Sequence, residues 1–123
     1  MTVIPSSALR FVPLAGRESA DPFRDQASMT EANLSVRIVR MVADPSRSSH
    51  VHAHSAEAVF VAQGRGTLWA NGVRTHLETG DTILIPAGVP HATLPDPESE
   101  MLLVCFFPHP DLSANIEELS SPL

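Results

Sequence analysis

The chain has 123 residues, enough for one domain with a single hydrophobic core, and it carries a formal charge of −6 with a pI near 5.4. All eight basic residues are arginine and tyrosine is absent, which excludes a lysine Schiff base and any phenolic acid–base or radical chemistry. Basic residues are not clustered, so we expect neither nucleic acid nor a membrane surface as a partner.

The N-terminal quarter is polar, interrupted by proline and weakly patterned, so we expect an arm or loop over residues 1–33. Its first residues have neither the charged region nor the continuous apolar run of a signal or membrane-spanning segment. The single cysteine, Cys105, cannot form an internal disulfide. A cytoplasmic location is therefore expected.

From Leu34 onward the sequence consists of short, β-branched, alternating runs separated by turn residues, which is typical of an all-β sandwich or closed barrel. Asn71-Gly72 predicts a two-residue hairpin turn. Residues 87–100 are expected to be loops, and residues 111–120 a short helix capped by Ser113. The predicted division is an arm (1–33), a barrel (34–110) and a tail (111–123). The predicted strands are LSVRIVRMV, SHVHAH, EAVFVAQ, GTLWA, GVRTHLE, TILIP and MLLVCFF.

Three of the six histidines, His50, His52 and His54, stand on alternate positions just before Glu57. On a strand this spacing places all three imidazoles on one face. Imidazole and carboxylate groups bind divalent metals when they converge from different strands. A fourth group, His91, directly follows the rigid turn PAGVP. The sequence therefore predicts a metal site.

The spacing of these residues resembles the two motifs of the cupins. His50-x-His52-x4-Glu57-x6-Gly64 matches the first motif from its histidine onward, and Gly80-x5-Pro86-x-Gly88-x2-His91 matches the second up to its histidine. The leading glycine of the first motif is replaced by Asp44, and the final asparagine of the second by Pro95. The resemblance covers roughly residues 34–107.

This resemblance implies a double-stranded β-helix, or jelly-roll, cupin barrel carrying an N-terminal arm and a short C-terminal helix. It implies one divalent transition metal (iron, manganese, zinc or nickel) held by His50, His52, Glu57 and His91, with two coordination positions left for water or substrate. Relatives are often dimers, and an arm that protects a sheet edge also favours a homodimer.

Two questions about the histidine cluster stay open at this point. A ligand set of His52, His54 and Glu57 is conceivable, but only His50, His52 and Glu57 have the family spacing. His54 is then either a proton shuttle near the mouth of the site or a solvent-exposed loop residue. With lysine and tyrosine absent, catalytic acid–base chemistry falls to His54, Glu57, Cys105 or metal-bound water.

The predicted function is a metal-dependent enzyme acting on a small molecule. A dioxygenase with a metal-chelating substrate is the first choice, and an isomerase, cyclase or lyase is the second. The alternative from another class is a non-catalytic cupin that binds or senses a small molecule through a structural or ligand-docking metal.

Several other side chains have simpler expected roles. Cys105, Phe60 and Trp69 are expected in the core, because free cysteine and strand aromatics usually pack there. His76 is expected to face solvent and His109 to lie in a loop. An inward arginine would bind a carboxylate or phosphate, and the sequence leaves open which face is taken by Arg37, Arg40, Arg65 and Arg74.

Overall fold

The computed structural model describes residues 1–14, 16–24 and 32–122. These residues form two antiparallel sheets packed face to face, as in a jelly roll, which confirms the all-β prediction. Within the described residues no helix is long and apolar enough to cross a membrane. The strands are β1 (Val12–Leu14), β2 (Arg17–Ala20), β3 (Ser35–Met41), β4 (Ser48–Val51), β5 (Glu57–Gln63), β6 (Gly66–Ala70), β7 (Val73–Leu77), β8 (Thr82–Ile85), β9 (His91–Pro95), β10 (Met101–Phe107) and β11 (Glu117–Pro122).

The strand order is β1-β2-β3-β10-β5-β8 in the first sheet and β11-β4-β9-β6-β7 in the second. Side chains on alternate positions of β3, β5 and β10 point between the sheets and are buried. The core they form, with inward residues of other strands, consists of Val39, Met41, Val59, Val61, Leu77, Ile85, Met101, Leu103, Cys105 and Phe107.

The N-terminal segment adds two strands that the sequence did not indicate. β1 pairs with β2, and β2 pairs with β3, with Arg17 opposite Met41 and Ser19 opposite Val39. Glu18, Ser19 and Ala20, expected in a loop, are therefore part of the first sheet. Residues 25–31 of the expected loop lie outside the described residues. The division into arm, barrel and tail stays a prediction.

The C-terminal segment does not form the predicted helix. A single 3-10 turn spans Leu112–Ala114, and its N-cap is Asp111, whose side chain accepts a hydrogen bond from the Ser113 backbone at 3.0 Å. The chain then continues as β11, which pairs with β4 at the edge of the second sheet. Pairing with an open sheet edge outweighs the local helix signal here.

The segment after PAGVP, expected to be a loop, is also a strand. β9 lies between β4 and β6 in the second sheet, and its His91 pairs with His50 of β4. The prolines on both sides resemble loop punctuation, but Pro95 ends the strand rather than interrupting it.

Candidate metal centre

Three chain segments bring the predicted ligands together. His50 lies on β4 and His52 one residue beyond its end, so strand alternation turns both rings inward. Glu57 and His91 are the first residues of β5 and β9. Gly88, with φ of +79°, forms the turn before His91, and its backbone N–H donates to the His52 carbonyl at 2.8 Å.

The four side chains converge on one point. One ligand atom from each of His50, His52, Glu57 and His91 lies within 4.8 Å of the others, and all four residues are buried. The Glu57 Oε1 atom is 3.0 Å from His91 Nε2 and 3.4 Å from His52 Nε2. They are therefore positioned to hold a metal ion.

The hydrogen bonds of two rings fix which nitrogens face this point. His52 Nδ1 lies 2.7 Å from the Asn115 carbonyl and His91 Nδ1 lies 2.8 Å from the Val89 carbonyl. A carbonyl only accepts, so both Nδ1 atoms carry the proton and donate. Their Nε2 atoms are then the ones that face the Glu57 carboxylate. When a metal ion is bound, these Nε2 atoms and the carboxylate would all act as electron-pair donors to it.

Asn115 supports this arrangement from behind the candidate ligands, a role that sequence patterns did not indicate. It is 1 % exposed, and its side chain donates to Ser55 Oγ at 2.8 Å and accepts from the His54 backbone at 2.7 Å. These bonds fix the carbonyl that orients His52. Asn115 lies two residues before β11, so its position depends on a pairing that the local sequence did not indicate.

The ionisation of the buried groups suits metal binding. Burial, with the nearby His91, lowers the pKa of His50 to about 2, so its ring is neutral. Burial raises the pKa of Glu57, but contacts with His52 and His91 lower it by more, to about 2, so the carboxylate is ionised. Neutral imidazole and ionised carboxylate are the forms that ligate metals.

These shifts predict an acid-sensitive metal-free protein. Because the pKa of His50 falls from 6.5 to about 2 on folding, only the unfolded chain binds its proton between those values. The contribution of His50 to the free energy of unfolding is therefore present above pH 6.5 and is lost progressively below it. The loss for this one group is about 1.4 kcal/mol between pH 7.5 and 5.5. Glu57 adds a loss of the same sign below its ordinary 4.5. Urea unfolding of chelator-treated protein at the two pH values measures the change.

The His50→Gln variant is the control, because it keeps the other titrating groups and removes this one. We expect its stability to fall by about 1.4 kcal/mol less than that of the wild type over the same pH interval. Equal losses in the two proteins would contradict the assignment of a neutral, buried His50.

A cavity begins at the ligands and continues between the sheets, with a free volume of about 60 Å³. Its walls are mostly apolar, with Val39, Val59, Leu103 and Phe107 among them. Three arginines, Arg17, Arg37 and Arg47, also line it. The sequence did not determine which sheet face four of the arginines take. Arg37 points inward, whereas Arg40, Arg65 and Arg74 are exposed. Arg17 and Arg47 lie in segments that the sequence marked as loops.

The structure does not bring His54 to this cavity. His54 is exposed, and its ring stacks on that of His109, with 5.9 Å between the ring centres. The expected core position of Cys105 is confirmed: it is 4 % exposed, lines the cavity, and has a pKa raised well above its ordinary value by burial. His76 is exposed, as expected. The catalytic role of His54 stays a prediction.

The core prediction was wrong for one aromatic residue and inexact for another. Phe60 is 44 % exposed on the outer side of β5, and Trp69 is half-buried on β6. Each follows an inward position of its strand, so alternation points it away from the core.

A family model for the cupin domain matches residues 37–107, more than half of the chain. This chain belongs to the cupin family. The comparison with curated proteins found no match. The fold predicted from the two histidine motifs is therefore confirmed by family and by structure.

Three solved cupin structures have folds similar to that of this chain. Their sequence identities to it are 21 % or lower, so the similarity concerns the fold alone. Pac13 of Streptomyces, a nucleoside dehydratase, has a TM-score of 0.74 and 12 % identity over 97 % of this chain and 91 % of its own. KdgF of a Halomonas species has a TM-score of 0.73 and 15 % identity over 92 % and 98 %. A salicylate 1,2-dioxygenase of Pseudaminobacter salicylatoxidans has a TM-score of 0.71 and 21 % identity over 88 % of this chain and 32 % of its own.

Proposed function

We propose that this cupin is a metal-dependent enzyme that dioxygenates a small organic substrate bound at the metal. One observation carries the choice of reaction. Every histidine and carboxylate among the residues lining the cavity belongs to the candidate ligand set. Cys105 also lines the cavity, but its raised pKa keeps the thiol protonated. The described cavity thus offers no separate general base, which favours chemistry carried by the metal and O₂ over proton abstraction by the protein.

The chain's own residues would hold the ion and shape the space beside it. His50, His52 and His91 would provide ring nitrogens, and the Glu57 carboxylate would offset one positive charge of the ion. A bound redox-active ion such as iron(II) would supply Lewis acidity and would mediate electron transfer from the substrate to O₂. Phe107, whose ring centre lies 4.7 Å from that of His52, and the apolar walls exclude water.

The resemblance in fold to a salicylate 1,2-dioxygenase, which has also been solved as an adduct with gentisate, supports the same reaction class. The resemblance to Pac13, a nucleoside dehydratase, supports an O₂-independent lyase or isomerase instead. Such a reaction in this chain would depend on Glu57 or metal-bound water for proton transfer.

Oxygen uptake tests the proposal. Protein purified without a histidine tag is loaded with iron(II) under nitrogen and mixed with hydroxybenzoates, dihydroxybenzoates and β-diketones in an oxygen electrode. We expect one substrate to be lost with an equal amount of O₂, and both atoms of ¹⁸O₂ to appear in the product. Zinc-loaded protein is the matched control and should be inactive.

Two results would contradict dioxygenation. Turnover without O₂ by zinc- or manganese-loaded protein would assign an isomerase or lyase. Binding of these compounds without turnover under any metal would assign a non-catalytic cupin.

We further propose that the chain is a homodimer in the cytoplasm, where its one cysteine stays reduced. Part of the outer face of the first sheet is apolar, because the register brings outward residues of β3, β10, β5 and β8 next to one another. The charged pair Arg40 and Glu18 lies on the same face, at its β2 side. Phe60, Leu84 and Phe106 are 44 %, 74 % and 40 % exposed there. This outer apolar face consists of Val36, Ile38, Ala58, Phe60, Leu84, Val104 and Phe106.

A second copy of the chain suits this face. Two copies that each carry a charge of −6 repel one another, and contact through an uncharged surface places least charge at the interface. A flat sheet face also pairs with itself about a two-fold axis. Exposed apolar patches of this kind mark interaction surfaces.

Substitution of the most exposed residue in that face tests the dimer. We expect Leu84→Glu to convert a wild-type dimer into a monomer, measured by light scattering after size exclusion, because it buries a charge in the contact. Val73→Glu, at a 65 % exposed position of the other sheet, should leave the dimer intact. A monomeric wild type would contradict the proposal, and a dimeric Leu84→Glu variant would move the contact to the N-terminal segment.

A further inference from the structure

We propose that Ser35 and Arg37 form a subsite that binds the carboxylate of an organic acid beside the metal centre. The inference names the substrate class of the same cavity and rests on the proposed function. It starts from two buried hydrogen-bond donors that have no acceptor among the described residues, the Ser35 hydroxyl and the Arg37 Nε–H.

These two donors are neighbours on the interior face of β3. Ser35 and Arg37 are two residues apart, in phase with the buried Val39 and Met41. Ser35 is 4 % exposed, and the Arg37 side chain is 21 % exposed. Buried donors without acceptors cost stability. A pair of them on one face is explained by a ligand that presents oxygen atoms.

The strand register places this pair close to the ligands. Ser35 is opposite Phe107 on β10, and Phe106 is opposite Ala58 on β5, so Glu57 lies in the same row two strands from Ser35. Two strand spacings correspond to about 10 Å between the Cα atoms of Ser35 and Glu57. Phe107 lies between them in this row, so a molecule with a metal-binding oxygen at one end and an anion at the other would lie across its ring.

Arg37 lies between the metal cavity and a second cavity beside it. Arg37 and Leu112 line both the metal cavity and a second, more polar cavity, which Ser35 also lines. The metal cavity alone has room for only a few atoms. A substrate larger than that would pass the Arg37 guanidinium to reach the ligands.

Charged side chains of both signs surround the pair. Arg17, Arg47 and Glu57 line the metal cavity, and the Arg17 side chain, 7 % exposed, pairs with Glu118 at 2.6 Å. Asp21 and Asp111 line the second cavity. Arg37 pairs with Asp21 at 3.3 Å through one terminal nitrogen, and its buried Nε–H has no described acceptor. This donor, and not a net positive charge, favours an anionic ligand.

A carboxylate fits these donors better than a larger anion. Its two coplanar oxygens match the guanidinium edge, and one of them accepts from a hydroxyl as well. The apolar walls Val59, Leu103 and Phe107 suit the hydrocarbon part of an organic acid. Inorganic phosphate, which has no such part, becomes an outcome of the test.

Binding of matched charged and neutral probes tests the subsite without turnover. Acetate, pyruvate and benzoate are titrated into chelator-treated and zinc-loaded protein and followed by NMR shifts, with acetamide and benzamide as neutral controls. We expect at least one acid to bind to both forms, about tenfold or more tightly than its amide. We expect Arg37→Gln to lower the binding affinity for that acid by about 10- to 100-fold.

Ser35→Ala separates a binding role from a structural one. We expect this variant to bind the acid several-fold more weakly. Its denaturation midpoint should be unchanged or higher, because the Ser35 hydroxyl has no described partner in the free protein. Arg65→Gln is the matched control: its side chain is 61 % exposed, pairs with Asp96, and is absent from the cavity lining. This variant should bind the acid as the wild type does.

The inference is overturned if none of the acids binds, if acid and amide bind equally, or if Arg37→Gln binds as tightly as the wild type. Inorganic phosphate that displaces the acid at lower concentration would reassign the subsite to phosphates. Because the titration with metal-free protein requires neither metal nor turnover, its failure is distinct from a failure of the oxygen-uptake experiment.

Discussion

The variant His91→Ala is expected to lose nearly all bound metal. His91 contributes one of four converging ligand atoms, and its ring is oriented by the Val89 carbonyl and faces Glu57 at 3.0 Å. Removal of a ligand leaves three groups and a gap at the start of β9. Loss of an outer-shell partner alone typically costs 10- to 100-fold in metal affinity, so we expect more than about 100-fold here. Competition with a chromophoric chelator measures the affinity.

His54→Ala is the matched control for this variant. It removes an imidazole from the same sequence cluster, but the His54 ring lies outside the ligand group and stacks on His109 instead. We expect it to retain wild-type affinity. If His54→Ala loses the metal and His91→Ala keeps it, the ligand set would be His52, His54 and Glu57, and the site described above would be wrong.

The second large effect concerns stability, in the variant Gly66→Ala. A Cβ atom at Gly66 would lie 2.3 Å from the Leu94 carbonyl oxygen and 2.9 Å from Met101 Sδ. The nearest atom belongs to the backbone of β9, the strand that starts with His91, so strand pairing has to shift. We expect the free energy of unfolding to fall by about 3 kcal/mol or more, measured by urea denaturation of metal-free protein.

Gly72→Ala provides the comparison, because its strain is of a different kind. Gly72 has φ of +86° in the hairpin turn after β6, and nothing lies within 4 Å of an added Cβ. Its cost is that of a left-handed backbone alone, about 1–2 kcal/mol. Equal losses in the two variants would mean that the close approach of β6 and β9 is not as tight as described.

The convergence of the four candidate ligands could be predicted from the sequence because their geometry is local. Alternation along a strand turns His50 and His52 to one face, and the turn around Gly88 aims His91. The spacing also separated these ligands from His54, which lies in a bend past the end of β4. Three short sequence segments are therefore almost sufficient to predict where these residues lie.

Much of the cavity could not be predicted, because strand pairings far apart in sequence create it. β2 carries Arg17 into the cavity only because it pairs with β3, and β11 places Asn115 behind His52 only because it pairs with β4. Taken alone, the sequences of these segments are short, polar or typical of a helix. The inward face of Arg37 likewise follows from the pairing of β3 with β10, which fixes its phase relative to the core.

Anomalous diffraction from crystals of iron-loaded protein is the most direct measurement of the central claim. The site described here predicts one strong peak per chain, within bonding distance of His50, His52, Glu57 and His91. A peak at any other group of residues, or no peak after loading at full iron stoichiometry, would contradict a metal centre at this end of the cavity.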